Sequence, residues 1–163
     1  MERKVVAEKL ISLCKLDIDA ILAYNHAIDG VEEPDIRVNL EAFRDDHNRH
    51  VINLSTLILE YGGVPPTFER DFKGFFIEGM TATAAGIGTR AALLAMMGNE
   101  TVTNSYYKSA DALDFPPEVQ LSIARYYDDE QRHLTYIKKV LKEKFGLAST
   151  KARDNKISPD IAV

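Results

Sequence analysis

The sequence predicts an all-α protein, an antiparallel four-helix bundle with one long crossover between helices 2 and 3. Three observations lead to this fold class. Apolar residues recur at helical spacing through four long segments, and turn residues separate these segments. One seven-residue motif also occurs in two similar copies, as RDDHNRH at residues 44–50 and as YDDEQRH at residues 127–133. Segments of roughly 25 to 30 residues joined short–long–short are typical of such a bundle.

The first two predicted helices form a hairpin. The first runs from about Val5 to Asp29, and its apolar stripe consists of Val6, Leu10, Leu13, Ile21 and Ile28. The turn DGVEEPD follows, and Pro34 suits the first position of the second helix, where its missing N–H is not needed. The second helix continues through Leu54 and Ile58 until the glycine pair at 62–63 stops it. A connection this short makes the two helices antiparallel neighbours.

The second predicted hairpin follows a longer connection. The segment VPPTFERDFKG at residues 64–74 is typical of a loop, and residues 73–88 either begin the third helix or form a separate short one. The third helix is clear through Leu93, Met97, Asn104 and Tyr107. DFPP at residues 114–117 separates it from a fourth helix that carries Val119, Ile123, Ile137 and Leu141. We expect the bundle to occupy residues 1–146 and the polar tail, residues 147–163, to be mobile.

Composition restricts the function classes. A net charge of −5 without any basic cluster argues against nucleic-acid binding. The single cysteine, Cys14, excludes an internal disulfide framework, and with the lack of an export signal it indicates a cytoplasmic protein. The least charged stretch, residues 74–98, contains Glu78 and Arg90, so we expect no membrane span.

The repeated motif belongs to a longer duplication with an offset of 83 residues. The matched pairs are Asp17 with Glu100, Tyr24 with Tyr107, His50 with His133, and Glu60 with Glu143. In both halves an acid precedes a tyrosine by seven positions and a histidine by 33. Matching spacings across two helices predict a duplicated helix hairpin, in which each copy supplies one lone acid and one pair of polar residues spaced i, i+3.

Ionisable residues occupy inward positions on all four predicted stripes. They are Asp17 on the first helix, His47 and His50 on the second, Glu100 on the third, and Glu130 and His133 on the fourth. Burying an unpaired carboxylate costs several kcal/mol, so three of them need compensation. A divalent cation among imidazoles and carboxylates provides it, because the cation accepts their lone pairs. The i, i+3 spacing of Glu130 and His133 brings both side chains to one face of the fourth helix. His47 and His50 have the same spacing on the second helix.

A metal-free polar layer is the alternative interpretation. Buried Asp–His and Glu–His hydrogen bonds can satisfy one another and fix the register of the helices. Tyr24 and Tyr107 can donate their hydroxyls into such a layer.

Four acids beside the repeated histidines are expected at the periphery: Asp45, Asp46, Asp128 and Asp129. There they would be solvated, or would pair with Arg49 and Arg132. Asp46 is the exception, because its i, i+4 spacing keeps it within reach of His50 and the site.

These residues resemble the ferritin-like superfamily. Its members, such as bacterioferritins and rubrerythrins, carry a Glu on each of two helices and an ExxH on the other two. Asp17 and Glu100 match the lone acids, Glu130 with His133 matches one complete ExxH, and Tyr24 follows the bacterioferritin pattern. The segments LLAMMGNETVTNSYYKSADALDFPPEVQ and YDDEQRHLTYI further resemble an uncharacterised bacterial ferritin-like family of unknown function, and the match spans about residues 5–145.

Two positions depart from the family pattern. Asp17 is one methylene shorter than the usual Glu, and His47 stands where a Glu normally bridges two irons. The resemblance implies a divalent metal, iron first with zinc or manganese as alternatives, and Tyr24 and Tyr107 next to its ligands. The implied ligands are Asp17, His47, His50, Glu100, Glu130 and His133. With three carboxylates instead of four, we expect an asymmetric pair of ions or one well-held ion.

Two functions stay open at this point. The first is a ferritin-like metalloprotein with an oxidase, ferroxidase or stress-related role. The second is a metal-free structural or oligomeric bundle that has lost the dinuclear chemistry. In either case we expect a homo-oligomer, a dimer first, and for the metal-free bundle residues 74–98 are a candidate association surface. No catalytic residue is predicted.

Overall fold

The computed structural model describes residues 1–67 and 88–146, and within these residues it contains four helices and no strand. The helices are α1 (Arg3–Asp29), α2 (Pro34–Glu60), α3 (Thr89–Asp111) and α4 (Pro117–Phe145). The predicted all-α four-helix bundle is confirmed. The stretch before α3, where the sequence left two alternatives, lies outside the described residues, and so does the predicted tail. The division of the chain at residue 146 stays a prediction.

The packing of the helices follows from the short–long–short connections. α1 packs along α2, α3 packs along α4, and α1 also packs against α3, while α2 and α4 approach each other least. The backbone N–H of Glu32, in the turn between α1 and α2, donates to the hydroxyl of Thr89 at 3.0 Å. α3 therefore begins at the end of the bundle where α2 begins. The end of α2 and the start of α3 thus lie at opposite ends of α2, a helix about 40 Å long.

The helix ends depend on proline and glycine. Pro34 opens α2, and its repeat equivalent opens α4, at positions where a free N–H is not needed. Gly146 ends α4 with a φ of 66°, in the left-handed region that glycine enters without strain. After α2, a Cβ at Gly63 would lie 2.8 Å from Ile58 and 3.1 Å from Ala7. Glycine thus lets the chain leave α2 in close contact with α1.

Two apolar clusters fill the bundle on either side of its middle. The first cluster includes Leu10, Leu13, Leu54, Ile58 and Ile123. The second includes Leu93, Met96, Ile137, Leu141 and Leu40. Taken in that order, each member of one cluster is the repeat equivalent of a member of the other. The two hairpins are therefore related by an approximate two-fold axis across the bundle, and the clusters enclose the layer between them.

The buried face of α3 is wider than the predicted stripe. Glu100 is buried as predicted, but Met97 and Asn104 are only partly buried. Met96 and Thr103 are fully buried instead. α3 packs on both α1 and α4, so its contact surface extends over more of the helix than one narrow stripe.

No helix in residues 1–67 or 88–146 has the length and apolar character that a bilayer crossing requires. Most of the stretch 74–98, predicted as an association surface, falls outside these residues. Association through it stays a prediction.

Cys14 provides a test of the packing around α1. Its side chain is fully buried in the first apolar cluster, and burial raises the pKa of its thiol to about 11. We expect the thiol to react with a disulfide reagent such as DTNB near neutral pH only as fast as the protein unfolds, and at once in guanidinium chloride. If the native protein reacted as fast as free cysteine, the cluster around Cys14 would be wrong.

Candidate metal centre

Six buried ionisable side chains form one layer across the middle of the bundle. They are Asp17 from α1, His47 and His50 from α2, Glu100 from α3, and Glu130 and His133 from α4, and all are fully buried. Each occupies a stripe position between apolar residues of its own helix, so helical periodicity turns it inward. The structure thus brings together all six residues that the sequence predicts as ligands.

The ligand atoms fall into two overlapping groups, and within each group they all lie within 4.8 Å of one another. The first group is Asp17, His47, His50 and Glu130. The second group is His47, Glu100, Glu130 and His133. The shared members, His47 and Glu130, are repeat equivalents, and each is the first residue of its i, i+3 pair. The layer therefore offers two adjacent positions for a cation, with these two side chains common to both.

Within residues 1–67 and 88–146, four polar atoms of this layer have no hydrogen-bond partner. They are Nδ1 of His50, Nδ1 of His133 and both carboxylate oxygens of Glu130. Oε1 of Glu130 lies 3.6 Å from Nδ1 of both His47 and His50, which is too long for a hydrogen bond. Buried polar groups are nearly always hydrogen-bonded. Converging imidazole and carboxylate atoms that lack partners are a donor set that fits a divalent ion.

The other ring nitrogen of each repeated histidine contacts an aspartate of the opposite hairpin. Nε2 of His50 lies 3.2 Å from Oδ2 of Asp129, and Nε2 of His133 lies 3.1 Å from Oδ2 of Asp46. A carboxylate at Nε2 favours the tautomer with its hydrogen there, which directs the Nδ1 lone pair into the layer. An aspartate precedes the histidine by four in both copies, but this spacing does not indicate that each aspartate contacts the histidine of the other hairpin.

Asp46, the expected exception among the four neighbouring acids, is therefore buried beside the site, and Asp129 lies half-buried at its boundary, in contact with His50. Asp46 contacts His133 rather than His50, because its carboxylate reaches across the seam between α2 and α4. The acids that are exposed, as predicted, are Asp45 and Asp128.

Two arginines connect the aspartates that hold the histidines. Arg49 contacts Asp46 at 2.8 Å and Asp129 at 2.6 Å, and Arg132 contacts the same two carboxylates at 2.6 Å each. The predicted pairing with arginine is confirmed for both acids. Burial would raise the pKa of Asp46, but hydrogen bonds from His133 and Arg132 hold it far below its ordinary value. Both aspartates thus stay ionised and accept the histidine N–H groups.

Two tyrosines donate to the lone acids across the two-fold axis. The hydroxyl of Tyr24 donates to Oε1 of Glu100, and that of Tyr107 donates to Oδ2 of Asp17 at 2.6 Å. Burial, together with the nearby carboxylates, raises the pKa of both phenols well above its ordinary value, so they remain protonated donors. Each tyrosine lies next to the predicted ligands, where the sequence placed it.

His47 breaks the symmetry of the layer. Its Nδ1 lies 2.8 Å from Oδ1 of Asp17 and its Nε2 lies 3.5 Å from Oε1 of Glu100, so the ring is held between the two lone acids. Burial lowers its pKa, but the charge of Glu130 and the bonds to both acids raise it well above its ordinary value. The ring therefore adds positive charge where the other half has a carboxylate.

The three carboxylates of the layer divide into two kinds. Burial raises the pKa of each, but the neighbouring imidazoles bring the pKa of Asp17 and of Glu100 below their ordinary values. Glu130 stays well above its ordinary pKa, because burial and the charges of Glu100 and Asp17 outweigh the effect of His47. Without a cation, Glu130 is the carboxyl group of the layer that holds a proton most strongly.

Removing either buried tyrosine hydroxyl tests this arrangement. Tyr24→Phe and Tyr107→Phe should each lower the free energy of unfolding of the metal-free protein by about 1–3 kcal/mol, because a buried carboxylate loses its donor. Urea denaturation measures the change. Tyr106→Phe is the matched control, since Tyr106 is 56% exposed and should have little effect. Equal stability of all four proteins would contradict the two hydrogen bonds.

Comparison with known protein families places the chain in one of them. The family described as Domain of unknown function (DUF2383) matches residues 5–112, more than half of the chain, from α1 through α3. No curated protein matches the chain. The matched family is of ferritin-like type, in accord with the four-helix fold. The chain therefore belongs to the family described as Domain of unknown function (DUF2383).

Proposed function

We propose that this protein binds a divalent transition-metal ion in the buried layer between its apolar clusters. The observation that carries the proposal is the set of unpartnered atoms on His50, His133 and Glu130. A layer that satisfied itself without metal would pair the oxygens of Glu130, the carboxylate at its centre. Within the described residues both oxygens instead lack a hydrogen-bond partner, and Oε1 lies 3.6 Å from a nitrogen of two imidazoles, an arrangement that a cation stabilises.

The charge of the layer also supports a cation. Asp17, Glu100 and Glu130 bring three carboxylates into a space without solvent, whereas the outer aspartates are paired with arginines. An imidazolium at His47 offsets one of these charges, and one divalent ion offsets the other two. Two divalent ions with a neutral His47 would leave an excess positive charge. We therefore propose one tightly held ion, bound by Glu130 with the histidine and the lone acid of one half.

Iron is our first candidate for the metal. Mixed imidazole and carboxylate ligands suit iron, and also zinc and manganese. Bound iron would exchange electrons with oxygen or peroxide, which favours an oxidase or ferroxidase-type role of the kind that ferritin-like proteins such as bacterioferritins have.

The chain itself would hold the ligands and exclude water. Tyr24 and Tyr107 fix the lone acids, and the outer aspartates fix two of the rings. The apolar clusters keep bulk solvent from both sides of the layer.

A metal-free structural module is the second candidate. One observation favours it: His47 hydrogen-bonds Asp17 and reaches Glu100, and so compensates part of the layer without an ion. In that function the layer would fix the docking of the two hairpins, and the protein would act through its surface.

Metal binding is tested by removing the carboxylate common to both groups. Glu130→Gln keeps the size of the side chain and removes its charge, so it should weaken metal binding at least about tenfold. His26→Ala is the control, since His26 is exposed. Elemental analysis and anaerobic titration with ferrous iron measure the effect. If the wild-type chain took up no metal in either measurement, the metal-free module would replace this proposal.

The number of ions is tested at His47. His47→Glu adds the fourth carboxylate, and we expect the uptake of ferrous iron to rise from about one to about two ions per chain. His47→Gln removes the ring without adding charge, and its stoichiometry should stay near that of the wild type. Uptake of two ions by the wild-type protein would refute the proposal of a single ion while leaving metal binding intact.

A further inference from the structure

An open cavity of about 680 Å³ lies between α2 and α4, beside the candidate metal centre. Ligand sites commonly have volumes of roughly 300–1,000 Å³. Its wall includes Arg49, Asn53, Ser122, Arg125, Tyr126 and Asp129. Tyr126 is buried and stacks on His50 with ring centroids 4.2 Å apart, and Asp129 contacts the same histidine. Two wall residues thus touch His50 directly.

The equivalent place beside His133 is covered. Phe43, the repeat equivalent of Tyr126, stacks on His133 with centroids 4.3 Å apart. The ring of Tyr136 packs edge-on against Phe43 at 5.4 Å, and the Arg132 guanidinium lies 5.8 Å from the Phe43 centroid. Asn53 is the repeat equivalent of Tyr136. The cavity is open in the half that contains His50 because the short side chain of Asn53 occupies the position of Tyr136 in the other half.

Hydrogen-bond donors distinguish the open half from the covered one. Arg125 stands where the other half has Ala42, and Tyr126 carries a hydroxyl that Phe43 lacks. The amide of Asn53 adds a further donor and, with Ser122, interacts with the Tyr126 hydroxyl.

The acids of the wall do not distinguish the halves. Asp128 and Asp129 have the equivalents Asp45 and Asp46 in the covered half. Asp129 is already paired with arginine, whereas Arg125 is exposed and forms no ion pair within the described parts of the chain. The open half has therefore gained donors, and donors fit a ligand with acceptor oxygens.

We propose that this cavity binds a small oxyanion, a carboxylate or phosphate group, through Arg125, with Asn53 and the Tyr126 hydroxyl completing the site. A guanidinium fork matches either group in charge and geometry. The anion would lie next to the residues that contact His50, and the half that contains His133 would not bind it. The site goes beyond the proposed metal function and does not require bound metal.

Titration of the ¹⁵N-labelled protein with inorganic phosphate, and separately with acetate, tests the site. We expect saturable shifts of the Arg125 and Asn53 side-chain signals, and the tighter of the two anions identifies the kind of oxyanion. Arg125→Ala introduces the residue of the covered half and should weaken binding about tenfold. Asn53→Tyr fills the cavity in the same way and should abolish binding. Arg90→Ala, at an exposed arginine in the first turn of α3, should change nothing.

Three results would overturn the proposal: no saturable shift with either anion, shifts spread over distant arginines, or equal losses in Arg90→Ala and Arg125→Ala. If Asn53→Tyr failed to fold, as judged by circular dichroism, the exposed Arg125 variant would decide. Metal content is measured on the same proteins. Anion binding lost with metal retained supports this proposal, whereas absent metal with intact anion binding counts only against the metal function.

Discussion

The burial of three carboxylates in the middle of the bundle is the constraint on which the rest of the structure depends. Asp17, Glu100 and Glu130 are fully buried, so the protein must supply the hydrogen bonds that water would otherwise donate to them. Tyrosine hydroxyls and the ring of His47 serve the two lone acids. In the part of the chain that the structure describes, no tyrosine hydroxyl donates to Glu130 and no imidazole is within hydrogen-bond distance of it, and its unpaired oxygens are the reason that a cation fits the layer.

The tyrosine and aspartate contacts of the layer cross from one hairpin to the other, whereas the bond between His47 and Asp17 lies within the first hairpin. Tyr24 of the first hairpin serves Glu100 of the second, and Asp46 of the first holds His133 of the second, with the repeat equivalents doing the reverse. A single hairpin would therefore leave its own lone acid without the tyrosine donor that the other hairpin supplies. When the hairpins dock, both lone acids gain their tyrosine donors at the same time. The polar layer therefore favours one register of the two hairpins. The short turns alone would not specify that register.

Helical periodicity explains why the candidate site could be predicted so fully from sequence. The six ligand candidates lie on stripes whose other members are apolar, and a stripe fixes which way a side chain points. The duplication then assigns equivalent roles across the two hairpins, as it did for Tyr24 and Tyr107. These arguments need only distances along one helix.

What the sequence could not predict depends on distances between helices. Spacing along α2 correctly puts Asp46 near His50, yet its partner is His133, because the separation of α2 and α4 decides what its carboxylate reaches. The buried face of α3 shows the same limit: Met96 and Thr103 are buried because α3 contacts two helices at once. Whether the six side chains bind metal likewise depends on protons and charge, which spacing alone does not determine.

The functional meaning of the chain lies where its two copies differ. The scaffold is nearly symmetric, and a symmetric layer would hold two equivalent ions with equal access. Inside the layer, the equivalence is lost because His47 is the repeat equivalent of Glu130. At the cavity wall, it is lost because Asn53 is the repeat equivalent of Tyr136. The wall difference opens the half that contains His50 and leaves His133 covered. Under the two proposals, the difference at His47 sets the number of ions, and the difference at Asn53 sets which half of the bundle binds an anion.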